Sequence, residues 1–283
     1  LKLDVSFTPN VFCPKISFCP QVVTIHDLGF LGSGGVNLKE MYLRFCSRNS
    51  ASAEKIITIS GFSKKQILSY FSNTEDRLNV IHLGVPEIAQ ALDKDFKILN
   101  KFRINNPYFF YVGSMVPHKN IENNIKAFKS FLKKEKNFLF VLAGHERKEL
   151  LDIRKTIKDY GLEENVIFVG KISEEEKTIL YKNSQGLVFT SCHEGFGLPI
   201  LEAQSLGVPV LTSNVTSLPE IGGNGALYVD PYDIGGIARG MEKIVSDKAF
   251  RNYLIDEGYK NVERFSWEKA AKETLELIRS CYK

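Results

Sequence analysis

Two carboxylates and two glycines lie close together in one short stretch, Glu194-Gly-Phe-Gly-Leu-Pro-Ile-Leu-Glu202. The apolar run 186–190 precedes it and has the pattern of a buried strand. Pro199 suits the first turn of a helix, which we expect to end near Leu206, because a glycine and a proline follow. A strand, a glycine turn and a helix start would direct backbone N–H groups at a bound anion such as phosphate.

Glu202 falls inside the predicted helix, with Leu198 four residues before it and Leu206 four residues after it. These three positions share one helix face, so the carboxylate lies on an otherwise apolar stripe and needs hydrogen-bond donors. Hydroxyl groups of a ligand could supply them. Alternatively, Glu202 only complements the positive end of the helix dipole. Glu194, taken alone, could be an ordinary acidic residue of a loop.

The spacing of the two acids resembles the Glu-x7-Glu signature of retaining glycosyltransferases with the GT-B fold, family 4. Further stretches also match the family, namely Ala203, 207–210, 217–220 and 229–231. The resemblance implies an α/β protein with two Rossmann-like doubly wound domains and a nucleotide-diphosphate sugar as donor. It also implies an incomplete N-terminal domain, because the first strands and the glycine-rich loop of family members have no counterpart here.

The same resemblance assigns roles to individual residues. Glu194 would hold hydroxyls of the donor sugar and orient its anomeric carbon. His26, which ends a predicted strand, would be a second catalytic residue facing that sugar, although a lone histidine there can also be structural. Glu202 would accept hydrogen bonds from the nucleotide ribose. The remaining donor-binding positions at the helix start would be Gly195, Phe196, Gly197 and Leu198.

A second loop, 113–120, follows the first predicted strand of the C-terminal half. A cation at the end of such a strand can neutralise a phosphate. In the family, an arginine and a lysine of this turn bind the donor pyrophosphate, and Lys119 matches the lysine. Ser114 stands where many members carry arginine and some branches carry serine or threonine, and His118 stands where those branches often carry arginine. Both are expected to contact the donor. Asn120 is expected to cap the next helix, and a solvated surface position is the alternative for Lys119.

Length and composition set limits on the function. The 283 residues suit two modest domains, and 43% hydrophobic and 25% charged residues are typical of a globular protein. No run approaches the ~20 apolar residues of a membrane span. The net charge of +4 is too small to indicate nucleic acid as a partner. Five cysteines without paired metal spacing indicate free thiols, so we expect a cytoplasmic protein.

Predicted strands alternate with predicted helices, which favours parallel sheets. Strands are predicted over 5–7, 22–25, 55–59, 80–81, 108–112, 138–143, 166–169, 187–190, 209–212 and 227–229. Helices are predicted over 37–53, 64–70, 121–135, 146–159, 174–182, 199–206, 233–246, 248–264 and 267–281. The expected domains are a partial N-terminal domain with its linker (1–98), a nucleotide-sugar-binding domain (99–265) and a helix crossing back to the first domain (266–283).

The predicted activity is transfer of a hexose, with mannose from GDP-mannose as the first choice. The acceptor would be a saccharide or a lipid-linked saccharide of a cell-surface polysaccharide. No cofactor and no metal are expected, and Asp93 and Asp95 in the linker are interpreted as a solvated charge cluster. Two alternatives stay open: a nucleotide-sugar-binding remnant without turnover, and a GT-B nucleotide-sugar epimerase.

Two surfaces bear on further partners. The helix 121–135 is lysine-rich, which allows but does not require a weak association with the inner face of the membrane. The helix 267–281, which Ser266 can cap, carries apolar residues and the single tryptophan, Trp267. An incomplete N-terminal domain would leave part of this apolar surface uncovered, so we expect self-association.

Overall fold

The computed structural model describes residues 3–11, 17–29, 36–86, 96–145 and 150–282. The chain divides into two compact units. The first unit consists of 1–84, 194–196 and 265–283, and the second consists of 85–193 and 197–264. The domain limits inferred from the sequence stay predictions.

The first unit is built on a parallel sheet. Its strands are β1 (Ser6–Thr8), β2 (Gln21–Thr24), β3 (Lys55–Thr58) and β4 (Leu78–Val80), and its first two helices are α1 (Val36–Ser52) and α2 (Gly61–Tyr70). The strands lie in the order β1–β2–β3–β4. Val23, Ile56 and Ile67 are fully buried in the core of this unit. Ser60 caps the start of α2, since its Oγ accepts a hydrogen bond from the amide of Ser63.

The second unit is larger and is also α/β. Its strands are β5 (Tyr108–Val112), β6 (Leu139–Ala143), β7 (Val166–Gly170), β8 (Gly186–Phe189), β9 (Val210–Ser213) and β10 (Ala226–Val229). Its helices are α3 (Phe96–Lys101), α4 (Ile121–Phe131), α5 (Leu150–Asp159), α6 (Glu174–Lys182), α7 (Leu198–Ser205), α8 (Leu218–Gly222), α9 (Ile234–Ser246) and α10 (Lys248–Val262). Most predicted elements are confirmed to within a few residues. α8 was not predicted, and α4 ends four residues earlier than expected.

The six strands of this unit lie in the order β10–β9–β8–β5–β6–β7, and all are parallel. After β7 the chain returns to the other side of β5, where Phe109 pairs with Gly186 and Phe110 with Leu187. This strand order is that of dinucleotide-binding sheets, in which ligands bind outside the carboxyl ends of the strands where the order reverses. The loops after β5 and β8 therefore flank the expected place for a nucleotide.

β5 lies at the centre of the sheet and consists of Tyr-Phe-Phe-Tyr-Val. Such an apolar sequence is expected of a parallel strand whose two faces are both covered by helices. The two tyrosine hydroxyls still need partners in this interior. Tyr108 Oη donates to the carbonyl of Leu180, and Tyr111 Oη donates to the carbonyl of Ser114. The second of these bonds also holds the start of the β5 loop.

The C-terminal helix, α11 (Trp267–Arg279), belongs to the first unit. Ser266 caps it through a hydrogen bond from a backbone amide one turn later. The small apolar core that includes the helix contains Val22, Ile57, Ile81, Ala270 and Cys281, with Val5, Leu277 and Ile278 packed against it. Trp267 and Leu275 are about half-exposed. Self-association through this region stays a prediction.

Gly84 provides a test of how α11 is attached. A Cβ atom at this position would lie 2.3 Å from the backbone nitrogen of Trp267, a contact that only a shift of the helix start could relieve. We predict that Gly84→Ala lowers the free energy of unfolding of the first unit by about 1–3 kcal/mol, the usual cost of overpacking. Denaturant titration followed by the fluorescence of the single tryptophan measures this loss.

Gly235→Ala in α9 is the matched control. Its added Cβ would meet mainly the end of the Arg239 side chain, which can move, and alanine favours a helix. We expect its unfolding midpoint to equal or slightly exceed that of the wild type. A midpoint for Gly84→Ala as high as that of the control would contradict the packing described here.

Candidate functional site

The loops after β5 and β8 are in contact within the second unit. The amide of Cys192, just after β8, donates a hydrogen bond of 2.8 Å to the carbonyl of His118. The β5 loop carries Ser114, His118 and Lys119, and the side chains of His118 and Lys119 are half-buried. The structure therefore places the three predicted donor contacts of this loop at the point where the strand order reverses.

Asn120 fixes the far end of the β5 loop. Its backbone is left-handed, with φ of 63° and ψ of 27°, a region that asparagine tolerates better than most residues. Asn120 is the N-cap residue of α4, as predicted, but its side chain forms no capping hydrogen bond. Instead, its buried Nδ2 lies 2.7 Å from the carbonyl oxygen of Pro231 and 3.0 Å from that of Thr190. One amide thus ties the β5 loop to the end of β8 and to the loop after β10.

Lys119 directly precedes Asn120 and ends a short 3-10 turn, Pro117–Lys119. Its ammonium group lies 5.6 Å from the ring centroid of Phe189, within the range of a cation–π interaction. Phe189 is the last residue of β8. The contact therefore holds a cation near the carboxyl end of that strand, where it could bind a phosphate.

The helix α7 begins at Leu198, one residue earlier than predicted. Gly197 precedes it with φ of 125° and ψ of 45°, a backbone conformation that favours glycine. Pro199 lies in the first turn and has no N–H group to leave unsatisfied. The N-terminal end of α7, with the positive end of its dipole, follows the β8 loop and could bind an anion.

Glu202 is a buried carboxylate of α7, with 8% of its surface exposed. Lys177 Nζ donates to its Oε1 at 2.8 Å, and Tyr181 Oη donates to its Oε2 at 2.8 Å. The protein itself therefore supplies two of the donors that the carboxylate needs, and a ligand would use the lone pairs that remain. Neither partner was predicted from the sequence. Their spacing of four residues on a predicted helix, which puts them on one face, is the signal that could have found them.

The surroundings keep both partners in their donor forms. Burial, and then the nearby Glu202 carboxylate, raise the pKa of Tyr181 well above its ordinary value. Burial alone would lower the pKa of Lys177, but hydrogen bonds to Glu174 and Glu202 outweigh it and raise that pKa. At neutral pH Tyr181 is thus a neutral hydroxyl, and Lys177 is a cation that balances the charge of Glu202.

Residues 194–196 belong to the first unit. The carbonyl of Gly195 accepts hydrogen bonds from Ser60 Oγ at 2.8 Å and from Ser63 Oγ at 3.2 Å. A Cβ atom at residue 195 would lie 2.0 Å from a carboxylate oxygen of Asp27, so only glycine fits this place. These contacts fix the backbone on both sides of the glycine.

Two further predicted residues lie in the same unit. Phe196 is buried, and its ring centroid lies 6.2 Å from that of His82 and 6.0 Å from that of Phe265. His26 follows β2 and is exposed, and its Nε2 lies 3.1 Å from the carbonyl oxygen of Pro9. The structure thus places His26 and Glu194 in one unit, and their roles towards a sugar stay predictions.

Within the described residues, no group of three or more His, Cys, Asp or Glu side chains could hold a metal ion. No helix in this part of the chain has both the length and the apolar character needed to cross a bilayer. Asp93 and Asp95 lie outside the described residues.

Comparison with known proteins places this chain in a family. The family described as glycosyl transferases group 1 matches residues 94–261. The chain is 31% identical over 279 residues to the O-antigen chain mannosyltransferase B of Escherichia coli, covering 96% of this chain and 73% of that protein. It is 32% identical over 251 residues to the serotype-specific mannosyltransferase WbdA of Escherichia coli, which covers 86% of this chain but only 31% of WbdA.

Solved structures give the fold. Alr3699/HepE of Anabaena, in a crystal structure with UDP and glucose, superposes with a TM-score of 0.76 at 18% identity. The match covers 93% of this chain and 72% of that chain. With two parallel α/β sheets and neighbours of this kind, the chain has the GT-B fold. Since the family match spans more than half of its length, this chain belongs to the glycosyl transferases group 1, family 4 of the glycosyltransferases.

Proposed function

We propose that this chain is a retaining hexosyltransferase, with mannose as the first choice of sugar. It would use a nucleotide-diphosphate sugar and a saccharide or lipid-linked acceptor in the synthesis of a cell-surface polysaccharide. The observation that carries the proposal is the contact between the β5 and β8 loops, from the Cys192 amide to the His118 carbonyl, where the strand order reverses. Mannose is supported by the names of the two Escherichia coli relatives.

The second unit supplies the groups for the nucleotide part of the donor. Lys119 and the start of α7 at Gly197 and Leu198 bind the diphosphate, with Ser114 and His118 beside them on the β5 loop. Glu202 accepts hydrogen bonds from the ribose. A nucleoside diphosphate as ligand is supported by the Anabaena protein of the same fold, which was solved with UDP.

The fixed charges suit the chemistry of the leaving group. Negative charge grows on the diphosphate as the glycosidic bond breaks, and a lysine with oriented backbone amides stabilises it without reorganising. These groups take the part that a divalent cation plays in other nucleotide sites. We therefore propose a reaction that needs no metal.

Separate residues are proposed for the transferred sugar. Glu194 binds sugar hydroxyls and orients the anomeric carbon, and His26 contacts the same sugar, while Gly195 and Phe196 hold this segment in place. The bond from the anomeric carbon to the diphosphate breaks as the acceptor oxygen bonds to that carbon from the same side. The acceptor proton passes to the departing phosphate oxygen, and the configuration is retained.

The first test is calorimetric titration of the intact chain with GDP and UDP. We expect at least one of them to bind with a dissociation constant below 1 mM, equivalent to about −4 kcal/mol. The absence of binding heat with both nucleotides at millimolar concentration would overturn the proposal.

Lys119→Met tests the phosphate contact. We predict that it weakens GDP binding by about 1–3 kcal/mol, the range of a charged hydrogen bond, and leaves guanosine binding unchanged, because guanosine has no phosphate. Lys126→Met is the control, because this substitution removes the same charge from the same unit. Lys126 lies on α4, and its Nζ is 3.9 Å from a carboxylate oxygen of Glu122. An equal loss for GDP and guanosine would show that Lys119 acts on the fold instead.

Glu194→Gln tests the sugar contact. We predict a fall in turnover of about 100-fold or more, because a misplaced sugar loses its near-attack geometry, with unchanged GDP affinity. Turnover is measured as GDP released from GDP-mannose in the presence of mannose-containing acceptors. The control is Glu75→Gln, which changes an exposed acid of the same unit.

Two outcomes of this assay would contradict the proposed activity. Donor binding without transfer to any acceptor tested would identify a nucleotide-sugar-binding protein. Conversion of the donor into an isomeric nucleotide sugar without an acceptor would identify an epimerase. Product anomers resolved by NMR then test retention, since an inverted anomer is incompatible with the proposal.

A further inference from the structure

The buried carboxylate of Glu202 is held at both of its oxygens. Lys177 and Tyr181, four residues apart on α6, each donate one hydrogen bond of 2.8 Å, to Oε1 and Oε2 respectively. The side chain of Glu202 is 11% exposed and that of Lys177 is 18% exposed. Lys177 Nζ also lies 2.7 Å from a carboxylate oxygen of Glu174. The carboxylate therefore has little freedom to rotate.

The two donors are themselves fixed by their surroundings. Ser173 and Glu176 form a capping box at the start of α6, and Lys101 pairs with Glu176 at 2.5 Å. The ring of Tyr181 packs edge-on against Phe110 of β5, with 5.0 Å between the centroids. α6 thus presents its lysine and its tyrosine to Glu202 from a rigid position.

The lone pairs of the carboxylate determine what it can still bind. An ionised carboxylate has about four acceptor positions, and the protein donors occupy one on each oxygen. Among the residues that the structure describes, no further donor bonds to these oxygens, so one position on each remains. This arrangement suits a ligand that offers two adjacent hydroxyl groups. A ribose with free 2′- and 3′-hydroxyls is such a ligand.

The lysine also changes the charge of the site. An unpaired glutamate beside a diphosphate would repel it, and a buried unpaired carboxylate would be costly. The ammonium group of Lys177, 2.8 Å from Oε1, balances the charge of the carboxylate without occupying all of its acceptor positions. A hydroxyl donor alone, such as Tyr181, carries no charge and cannot balance that of the carboxylate.

We propose that Lys177 and Tyr181 are positioning residues that hold the Glu202 carboxylate for the ribose hydroxyls of the donor, a role that rests on the proposed function. They act through Glu202 and do not touch the ligand. The consequence is specificity: the pair determines how strongly the site prefers a ribonucleotide to a 2′-deoxyribonucleotide.

The experiment compares the more tightly bound of GDP and UDP with its 2′-deoxy counterpart by calorimetry. The wild type is expected to prefer the ribonucleotide about tenfold or more, the effect of one hydrogen bond to a charged acceptor. Tyr181→Phe and Lys177→Met should each reduce this ratio to about threefold or less. The loss should come mainly from a lower affinity for the ribonucleotide. Lys177→Arg, which keeps the cation, should restore most of the ratio.

Controls separate positioning from a general effect on the fold. Lys171→Met removes an exposed lysine just before α6 and should leave the ratio at its wild-type value. Tyr181→Phe keeps the ring that packs on Phe110, so its thermal midpoint should stay close to that of the wild type. An equal loss of affinity for both nucleotides would reveal a structural role and overturn the inference.

Failure of the inference differs from failure of the proposed function. If the wild type prefers the ribonucleotide and both variants keep the wild-type ratio of affinities, the inference is wrong, whereas the proposed nucleotide site is still supported. If the wild type binds neither GDP nor UDP, the proposed function fails, and the inference fails with it.

Discussion

The buried amide of Asn120 is the constraint on which the second unit's candidate site depends. Its left-handed backbone ends the β5 loop, and its side chain reaches carbonyl oxygens of Thr190 and Pro231. Buried carbonyl groups need donors, and here one NH₂ group supplies them to two loops. The position of Lys119, the preceding residue, follows from this arrangement. The ends of β5 and β8 and the loop after β10 are consequently held as one framework.

The second constraint is electrostatic. A glutamate on an apolar helix face is unfavourable unless it is paired and hydrogen-bonded. α6 meets this requirement with one cation and one hydroxyl, Lys177 and Tyr181, and it has its own capping box and a salt bridge to Lys101. The same pairing that makes Glu202 tolerable in the core leaves acceptor positions on its carboxylate for the proposed ribose contact. Stability and the proposed contact therefore place the same demand on this residue.

In the first unit, the corresponding constraint acts on the backbone. The carbonyl of Gly195 accepts from two serine hydroxyls, and Asp27 occupies the space where a side chain would start. Glycine at this position is thus explained by close approach rather than by a need for a positive φ. The neighbouring Phe196 is enclosed by His82 and Phe265, which anchors the other side of the segment. Glu194 is attached to a backbone held from both directions.

The sequence alone determined the strands, most of the helices and the family, because these follow from local patterns: apolar runs, cap residues and the spacing of two acids. It also identified Glu202 and Lys119 as candidates. The order of the strands and the partners of each site residue were decided only by the tertiary structure. Asn120 and Pro231 are 111 positions apart, Ser60 and Gly195 are 135 apart, and Lys177 and Glu202 are 25 apart. No local pattern encodes such pairs, since packing of the whole sheet brings their atoms within hydrogen-bond distance.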